Sequence, residues 1–314
     1  MSRIGLIDVD KESRGKCTFP NLALMKLSSW HKAHGDVVEW YTPDSGRYDR
    51  VYMSKVFGSE YTKDYPYPVN ADEIIRGGSG YAISVVDGKE VYDKSLDPDL
   101  PYEVEHSMPD YSLYGITDTA YGFLTRGCPR GCSFCHTAEM QGRKCRTHAN
   151  LSEFHSGQKN IVLLDPNITA HPDFIALMKQ LSDSKAYVDF SQGLDIRLLT
   201  EEKIEALNQV KVKRIHIAWD NPNEDITPKL EMASKTFKRW RKQVVSCYVL
   251  TNYNSTHEQD LYRINTLRRF NVQPDVRIYR KPTAPLEAKK LQRWCNPFIF
   301  WKCESFEDYQ KEGN

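Results

Sequence analysis

The sequence lacks any long apolar segment. No run of about 18 hydrophobic residues, the length that a membrane-spanning helix needs, occurs in its 314 residues. No signal peptide precedes the first predicted strand, which begins at Arg3. We therefore expect no membrane partner and a cytoplasmic location.

The chain also has little net charge, because 43 Lys and Arg residues nearly balance 42 Asp and Glu residues. The charges are unevenly distributed: residues 1–110 carry 13 basic and 19 acidic residues, and residues 111–314 carry 30 and 23. The mildly basic second part is compatible with an anionic substrate, but it does not by itself indicate nucleic-acid binding. In a cytoplasmic chain, the eight cysteines are expected to be thiols and metal ligands rather than disulfides.

One loop carries three cysteines with the spacing C-x₃-C-x₂-C, namely Cys128, Cys132 and Cys135. Gly127 and Gly131 leave the backbone room to turn, and Pro129 disfavours a helix. Three thiolates can hold three irons of a cubane cluster and leave the fourth iron open to a small molecule. Phe134 places an aromatic face beside such a cluster.

This pattern, with an aromatic residue before the third cysteine, resembles the signature of the radical S-adenosylmethionine (radical SAM) superfamily. The resemblance implies an enzyme with a [4Fe–4S] cluster whose open iron binds the amino and carboxylate groups of S-adenosylmethionine (SAM). It further implies reductive cleavage of SAM to a 5′-deoxyadenosyl radical, which abstracts hydrogen from a substrate. An electron donor such as flavodoxin or ferredoxin would supply the reducing electron.

The alternative outside enzymes is a zinc- or cluster-binding adaptor. The three cysteines of the loop would then be joined by His136 or Cys145 in a structural zinc site. Structural zinc sites usually combine two separated pairs of ligands, and a single run of three cysteines fits that arrangement poorly.

Residues 1–110 predict a small open α/β (Rossmann-like) domain, with a loop from Asp10 to Cys17 after the first strand. This segment resembles a shrunken cobalamin-binding domain, whose D-x-H-x-x-G motif supplies a cobalt-ligating His. The matching run here is Asp10-x-Glu12-x-x-Gly15, with Glu12 in the position of the His. Because a carboxylate is a poor substitute for imidazole at cobalt, we expect no cobalamin binding.

Six strand–helix repeats predict a partial (βα)₆ TIM-like barrel over residues 111–285, after a proline-containing linker over residues 93–116. The strands are predicted at residues 120–125, 160–164, 187–190, 214–218, 244–250 and 276–279. A C-terminal helix and tail follow over residues 286–314. In such arrays, chemistry takes place at the carboxyl ends of the strands.

Polar residues follow those strand ends, and together with Phe134 they are the predicted cofactor-binding residues: Asp165, Asn167, Gln192, Asp195, Arg197 and Asp220. By resemblance, Asp165 and Asn167 lie where the family binds the SAM ammonium group, although Asp-Pro-Asn replaces the usual Gly-Gly-Glu. The alternative for these two residues is a simple turn.

The other strand-end residues have predicted roles of their own. Arg197 can clamp the SAM carboxylate with its planar fork of donors. Asp195 or Asp220 can accept the ribose hydroxyls, and Gln192 can serve either group. The alternative for Asp195 and Arg197 is a local ion pair on the rim of the barrel.

Several features leave alternatives open. A second cluster, typical of a methylthiotransferase, would draw on the remaining cysteines, which are otherwise buried thiols: Cys17, Cys145, Cys247, Cys295 and Cys303. A cobalamin-dependent radical methylase is the other alternative among enzymes. The basic run over residues 237–242 is predicted on an outer helix, as a solvated face or an RNA contact. His216 is predicted to point into the barrel as a hydrogen-bonded core residue.

Overall fold

The structure is a computed structural model that describes residues 1–15 and 19–311. The chain divides into two compact units. The first unit comprises Met1–Gly122, Pro129–Arg143 and Ala149–Gln158, and the second comprises Phe123–Cys128, Lys144–His148 and Lys159–Asn314.

The first unit contains a four-stranded parallel sheet with the strand order β2-β1-β3-β4. In chain order its first elements are β1 (Arg3–Asp8), α1 (Val9–Arg14), α2 (Leu22–Ala33), β2 (Val37–Trp40), β3 (Tyr48–Ser54) and β4 (Ala71–Gly77). Apolar side chains cover both faces of this sheet, as parallel sheets require: Ile4, Leu6 and Leu24 belong to one buried cluster, and Ile7 and Val51 to another. The predicted Rossmann-like open sheet is confirmed.

One local prediction in this unit is wrong, because residues that were expected to form a loop begin as a helix. The Asp8 carboxylate accepts a hydrogen bond from the Lys11 backbone N–H at 3.1 Å and so caps the first turn of α1. Asp10 and Glu12 lie in that first turn, where negative charge is favourable, and Gly15 ends the helix. Cys17 lies outside the described residues.

The rest of the first unit consists of short elements, one of which lies within the predicted linker. They are α3 (Ser79–Ala82), β5 (Ile83–Val86), β6 (Lys89–Tyr92), α4 (Tyr102–Glu105), β7 (Thr119–Gly122) and α5 (Thr137–Gln141). Strands β5 and β6 form an antiparallel hairpin. The linker residues therefore form ordered single turns, although they show no sustained periodicity.

The second unit contains an antiparallel pair of two-residue strands and a run of parallel strands. Its strands are β8 (Thr125–Arg126), β9 (Arg146–Thr147), β10 (Asn160–Leu163), β11 (Tyr187–Leu194), β12 (Lys211–Ala218), β13 (Val245–Thr251) and β14 (Gln273–Ile278). Its helices are α6 (Phe174–Asp183), α7 (Glu201–Asn208), α8 (Thr227–Thr236), α9 (His257–Arg269), α10 (Leu286–Cys295) and α11 (Phe306–Lys311).

The parallel strands of the second unit follow one another in sequence order, β14-β13-β12-β11-β10. A helix follows each of the strands from β10 to β14, as in a β/α barrel. The predicted α/β class and partial TIM-like barrel are confirmed. Five of the six predicted barrel strands are present as single strands, and β11 extends four residues beyond its predicted end. The first, predicted over residues 120–125, is divided between β7 and β8.

The two faces of this sheet differ in polarity. One face is apolar and buried, with Phe190, Ile215, Cys247 and Val276 among its side chains. The other face carries polar side chains at paired positions, including Asp189, His216, Ser246, Tyr248 and Asp275. Strands of a parallel sheet usually carry apolar residues on both faces, so this polar face is an exception to that pattern.

Two helix ends differ in how well the sequence predicted them. Helix α9 begins with the predicted capping box, in which Thr256 and Gln259 exchange hydrogen bonds through side chains and backbone. Helix α8, by contrast, ends at Thr236, so the basic run over residues 237–242 lies in turns after it and the predicted helical placement is wrong. Within this run Lys242 Nζ lies 3.8 Å from the centroid of the Trp301 ring.

Candidate functional site

The loop that carries the three cysteines turns at two glycines. Gly127 and Gly131 have φ angles of 90° and 58°, a conformation that residues with a Cβ rarely adopt. A Cβ at Gly131 would also clash with the Arg143 guanidinium. Within the first unit the Cys135 backbone N–H donates to the Cys132 carbonyl at 3.0 Å, which closes a tight turn between these two ligand candidates.

The loop cysteines differ from the other described cysteines in exposure. Cys128 and Cys132 are half-buried and Cys135 is exposed, whereas the remaining ones, Cys145, Cys247, Cys295 and Cys303, are buried. Burial raises the pKa of the thiols of Cys145, Cys247 and Cys295, which favours the neutral thiol over the thiolate that binds metal. The donor chemistry of the loop therefore fits an iron–sulfur cluster, and the buried cysteines fit the predicted alternative of core thiols.

A zinc site differs in geometry from an iron–sulfur cluster, because all of its ligands must surround one ion. Within residues 1–15 and 19–311, no three His, Cys, Asp or Glu side chains are grouped to hold a single metal ion. His136, a ligand in the zinc alternative, instead hydrogen-bonds through Nδ1 to Glu139 at 2.7 Å and stacks on Tyr92. In a cubane each cysteine binds a different iron, so the three sulfurs can lie farther apart than the ligands of one ion.

Asp165 follows β10 and is only 3% exposed. Its carboxylate accepts hydrogen bonds from the Leu124 N–H at 3.2 Å, the Thr125 N–H at 2.5 Å and the Thr125 hydroxyl at 2.7 Å. Burial raises the pKa of Asp165 to about 6, although these hydrogen bonds oppose the rise. The side chain thus anchors the segment that leads into the cysteine loop.

Asn167 reaches that loop directly. Its Nδ2 donates to Cys128 Sγ at 3.5 Å, and its Oδ1 accepts from the Thr169 hydroxyl at 2.8 Å. The Cys145 thiol donates to the Asn167 carbonyl at 3.4 Å. Asp165 and Asn167 therefore both bind the stretch that ends at Cys128. Their predicted contact with the SAM ammonium group stays a prediction.

Asp195 and Arg197 form the ion pair that was predicted as their alternative role. Arg197 Nε donates to Asp195 Oδ1 at 2.6 Å, and Arg197 Nη1 donates to Glu224 at 2.7 Å. These two carboxylates raise the pKa of Arg197 despite its partial burial. The guanidinium side chain stays 25% exposed, so it remains accessible to a ligand.

Asp220 follows β12 and is half-buried. Burial raises its pKa to about 6, and the charges of Arg263 and Arg197 oppose the rise. Gln192 is exposed on β11, near its carboxyl end.

The structure groups Asn167, Asp195 and Arg197 through Thr169, because the Thr169 hydroxyl also accepts the Asp195 N–H at 2.9 Å.

Arg263 was not singled out from the sequence, although it organises the same strand ends. It is fully buried and donates to the carbonyls of Trp219 at 2.6 Å and Leu250 at 2.9 Å, which lie at the ends of β12 and β13. Asp260, one helical turn earlier, accepts from the same guanidinium at 2.5 Å. The i, i+3 spacing of an acid and a base on the inner side of α9 was the available signal.

The polar face of the sheet holds a second group that was only partly recognised. His216 Nδ1 shares a 2.5 Å hydrogen bond with Ser246, and its ring stacks on Tyr248 with a 3° interplanar angle. Burial lowers the pKa of His216 to about 3, so the ring is neutral. Its Nε2 lies 3.8 Å from Asp189 Oδ1, a buried oxygen with no hydrogen-bond partner among the described residues. Alternation of Asp189 with Val188 and Phe190 was the missed signal.

In the first unit, the carboxyl ends of β1 and β3 are joined by Asp10. Its carboxylate accepts from the backbone N–H groups of Val56 at 2.6 Å and Phe57 at 3.3 Å, and from the Thr62 hydroxyl at 2.7 Å. Glu12, which stands in the place of the cobalt-ligating His, is exposed on α1.

The described residues contain no helix long and apolar enough to cross a bilayer.

The fold is similar to that of a solved radical S-adenosylmethionine methyltransferase, TsrM from Kitasatospora setae, whose structure has cobalamin and a [4Fe–4S] cluster bound. The two chains are 10% identical with a TM-score of 0.61, and the match covers 88% of this chain and 75% of that chain. No protein-family model matches the sequence, and no curated protein sequence matches it. The match supports the predicted fold, a partial TIM-like barrel with an N-terminal Rossmann-like sheet.

Proposed function

We propose that this chain is a radical SAM enzyme in which Cys128, Cys132 and Cys135 each bind one iron of a [4Fe–4S] cluster. One observation carries the proposal: the fold resembles that of a radical SAM methyltransferase, and among the described cysteines the three that are not buried lie in one glycine-turned loop with C-x₃-C-x₂-C spacing. When bound, the cluster would supply the electron that cleaves SAM to a 5′-deoxyadenosyl radical. A small electron-transfer protein such as flavodoxin or ferredoxin would deliver that electron.

The chain's own residues then hold SAM and exclude water. Arg197 offers a partly exposed guanidinium that Asp195 and Glu224 fix in place, which suits a carboxylate. Burial raises the pKa of Asp220, so its carboxyl group can donate to or accept from a ribose hydroxyl. Gln192 and Phe134 complete the proposed set, the first as a polar contact and the second as an aromatic face beside the cluster.

The experiment is anaerobic reconstitution of the full chain with iron and sulfide. We expect about four irons per chain and, with dithionite and SAM, 5′-deoxyadenosine detected by mass spectrometry. The matched control is the triple variant C128A/C132A/C135A, which keeps the buried cysteines and should give neither. A colourless wild-type protein that binds zinc stoichiometrically would contradict the proposal and support the adaptor.

A cobalamin-dependent methyltransferase is the second candidate, because the similar solved structure is of a methyltransferase with cobalamin bound and the match covers 88% of this chain. Against it stands Glu12 at the position of the cobalt-ligating His, so we expect no His-ligated cobalamin. Equilibrium dialysis with hydroxocobalamin separates the candidates. Stoichiometric uptake by the wild type, with methyl transfer from SAM, would establish the second candidate.

A further inference from the structure

We propose that Asn167 is a positioning residue for the cluster: its amide N–H holds the Cys128 sulfur and raises the reduction potential of the cluster. The inference rests on the proposed function, since it concerns the same cluster. It assigns Asn167 the role of a donor to a cluster ligand, where the sequence predicted a contact with the SAM ammonium group.

The first observation is the contact itself. Asn167 is 4% exposed, and its Nδ2 lies 3.5 Å from Cys128 Sγ, a normal separation for an N–H···S hydrogen bond. An amide nitrogen can only donate, and a thiolate sulfur can only accept. The pair therefore has matched chemistry once Cys128 is a thiolate ligand.

The second observation fixes which end of the amide faces the sulfur. The Thr169 hydroxyl oxygen accepts the backbone N–H of Asp195 at 2.9 Å, so its single hydrogen is available to donate. That hydrogen goes to Asn167 Oδ1, 2.8 Å away. Thr169 is fully buried, so water does not compete for this bond. The amide oxygen is thus committed to Thr169, and the NH₂ group is left for Cys128.

The third observation is that both partners are held from several sides. The Cys145 thiol donates to the Asn167 carbonyl at 3.4 Å, and Asp165, two residues earlier, binds the backbone N–H groups of Leu124 and Thr125. Residues 165–167 after β10 therefore anchor the segment before Cys128 and also contact the Cys128 sulfur. A donor held this firmly keeps its geometry when the charge on the cluster changes.

The expected effect follows from where the extra electron goes. Reduction adds negative charge to the cluster and its sulfurs, and an N–H donor stabilises the reduced state more than the oxidised one. Hydrogen bonds to cluster sulfurs are among the factors that set the reduction potential. Removal of the Asn167 donor should therefore make the cluster harder to reduce.

The test is a redox titration of the reconstituted full chain, followed by electron paramagnetic resonance of the reduced cluster. Asn167→Leu removes the donor and keeps a similar volume, and we expect a midpoint potential more negative than that of the wild type. The expected shift is about a tenfold lower ratio of reduced to oxidised cluster at fixed potential, which is about 59 mV for one electron. Thr169→Val, which frees the amide oxygen, should shift the midpoint in the same direction by less.

The matched control is Gln273→Met, which removes an equally buried amide from the second unit. Gln273 is 7% exposed and donates to the carbonyls of Pro274 and Cys295, so its loss should leave the midpoint unchanged. If the wild type takes up a cluster and the midpoint potential of Asn167→Leu is unchanged or more positive, the inference is overturned. If Asn167→Leu does not fold, an unchanged midpoint in Thr169→Val overturns it. A wild type that takes up no cluster would instead overturn the proposed function.

Discussion

The cysteine loop and the C-terminal region both carry cysteines close to aromatic residues, yet their surroundings are opposite. The cysteine loop over residues 127–136 is turned by glycines and leaves its sulfurs accessible. In the C-terminal region over residues 294–306 Cys295 is fully buried, and the Trp294 ring packs against Phe300 and Phe306 with centroid distances of 4.8 Å and 5.4 Å. Here the guanidinium of Arg268 lies 4.0 Å from the Phe300 ring centroid.

The difference shows that residue content alone does not distinguish a metal-binding loop from a packed core. Both regions combine cysteine, proline and aromatic residues. What separates them is that glycine turns expose sulfur in one region, whereas helices α10 and α11 bury it in the other. Burial raises the pKa of the Cys295 thiol and limits its access to metal, which fits a packing role for this cysteine.

The largest expected effect comes from removing cysteines in each region. Cys128→Ala, Cys132→Ala and Cys135→Ala should each lose the cluster, because three ligands leave no redundancy. Cys295→Ala and Cys303→Ala should retain the iron content of the wild type. Iron and sulfide assays after anaerobic reconstitution measure both sets, and full iron in any loop variant would break the comparison.

Removal of an aromatic residue should lower the free energy of unfolding more in the C-terminal region than in the cysteine loop. Trp294→Ala empties a fully buried site and should lower the free energy of unfolding by about 3–5 kcal/mol. Phe134→Ala removes a half-buried ring and should cost about 1 kcal/mol or less. Urea unfolding of the apo proteins measures both changes, and an equal loss in the two variants would contradict the distinction between loop and core.

The pH dependence of stability distinguishes the two regions through Asp165 and Cys295. Burial raises the pKa of Asp165 from 3.8 to about 6 and that of Cys295 well above 9.0, so each group favours folding when protonated. The contribution of Asp165 is therefore complete below about pH 4 and is lost as the pH rises through about 6, a change of roughly 3 kcal/mol. The contribution of Cys295 is lost only above pH 9.

Asp165→Asn should reduce the decrease in stability between about pH 4 and pH 6, and the remainder belongs to groups such as Asp220, whose pKa is also raised to about 6. Cys295→Ala should likewise reduce the decrease that begins above pH 9, to which the buried Cys247 thiol also contributes. The measurement is the urea-derived free energy of unfolding of each apo protein at about pH 4, 7 and 10. A decrease between pH 4 and pH 7 that is as large in Asp165→Asn as in the wild type would show that Asp165 does not contribute to it.

The smallest expected effect tests whether the strand-end residues serve the loop region. Arg197→Ala should weaken SAM binding by about 1–3 kcal/mol, since a charge-assisted hydrogen bond is lost. The cluster should remain intact, because Arg197 is not an iron ligand. Isothermal titration of the reconstituted protein with SAM gives the affinity. Lys235→Ala, on the exposed side of α8, is the control and should bind SAM as the wild type does.

The strand pattern was predictable because short apolar runs at regular intervals alternate with amphipathic helices, and five of the six barrel strands appear as single strands in the predicted order. The end of β11 could not be predicted in this way, because Ser191, Gln192 and Gly193 have the composition of a turn. They continue the strand because β11 pairs with β12 through a register shift after Phe190, which no local pattern encodes. The basic run after Thr236 was misplaced for a similar reason, since it continues the helical composition of α8.

The sequence by itself determined the cysteine spacing, the turn-forming glycines and the positions of the polar residues after the strands, because these depend on local chemistry and on the period of the strands. Only the tertiary structure decided what those polar residues contact. Asp165 and Asn167 bind the stretch around Thr125 and Cys128, some 40 residues away in sequence, because β10 and the cysteine segment fold against each other. Arg197 finds Glu224 in the same way, 27 residues further along the chain.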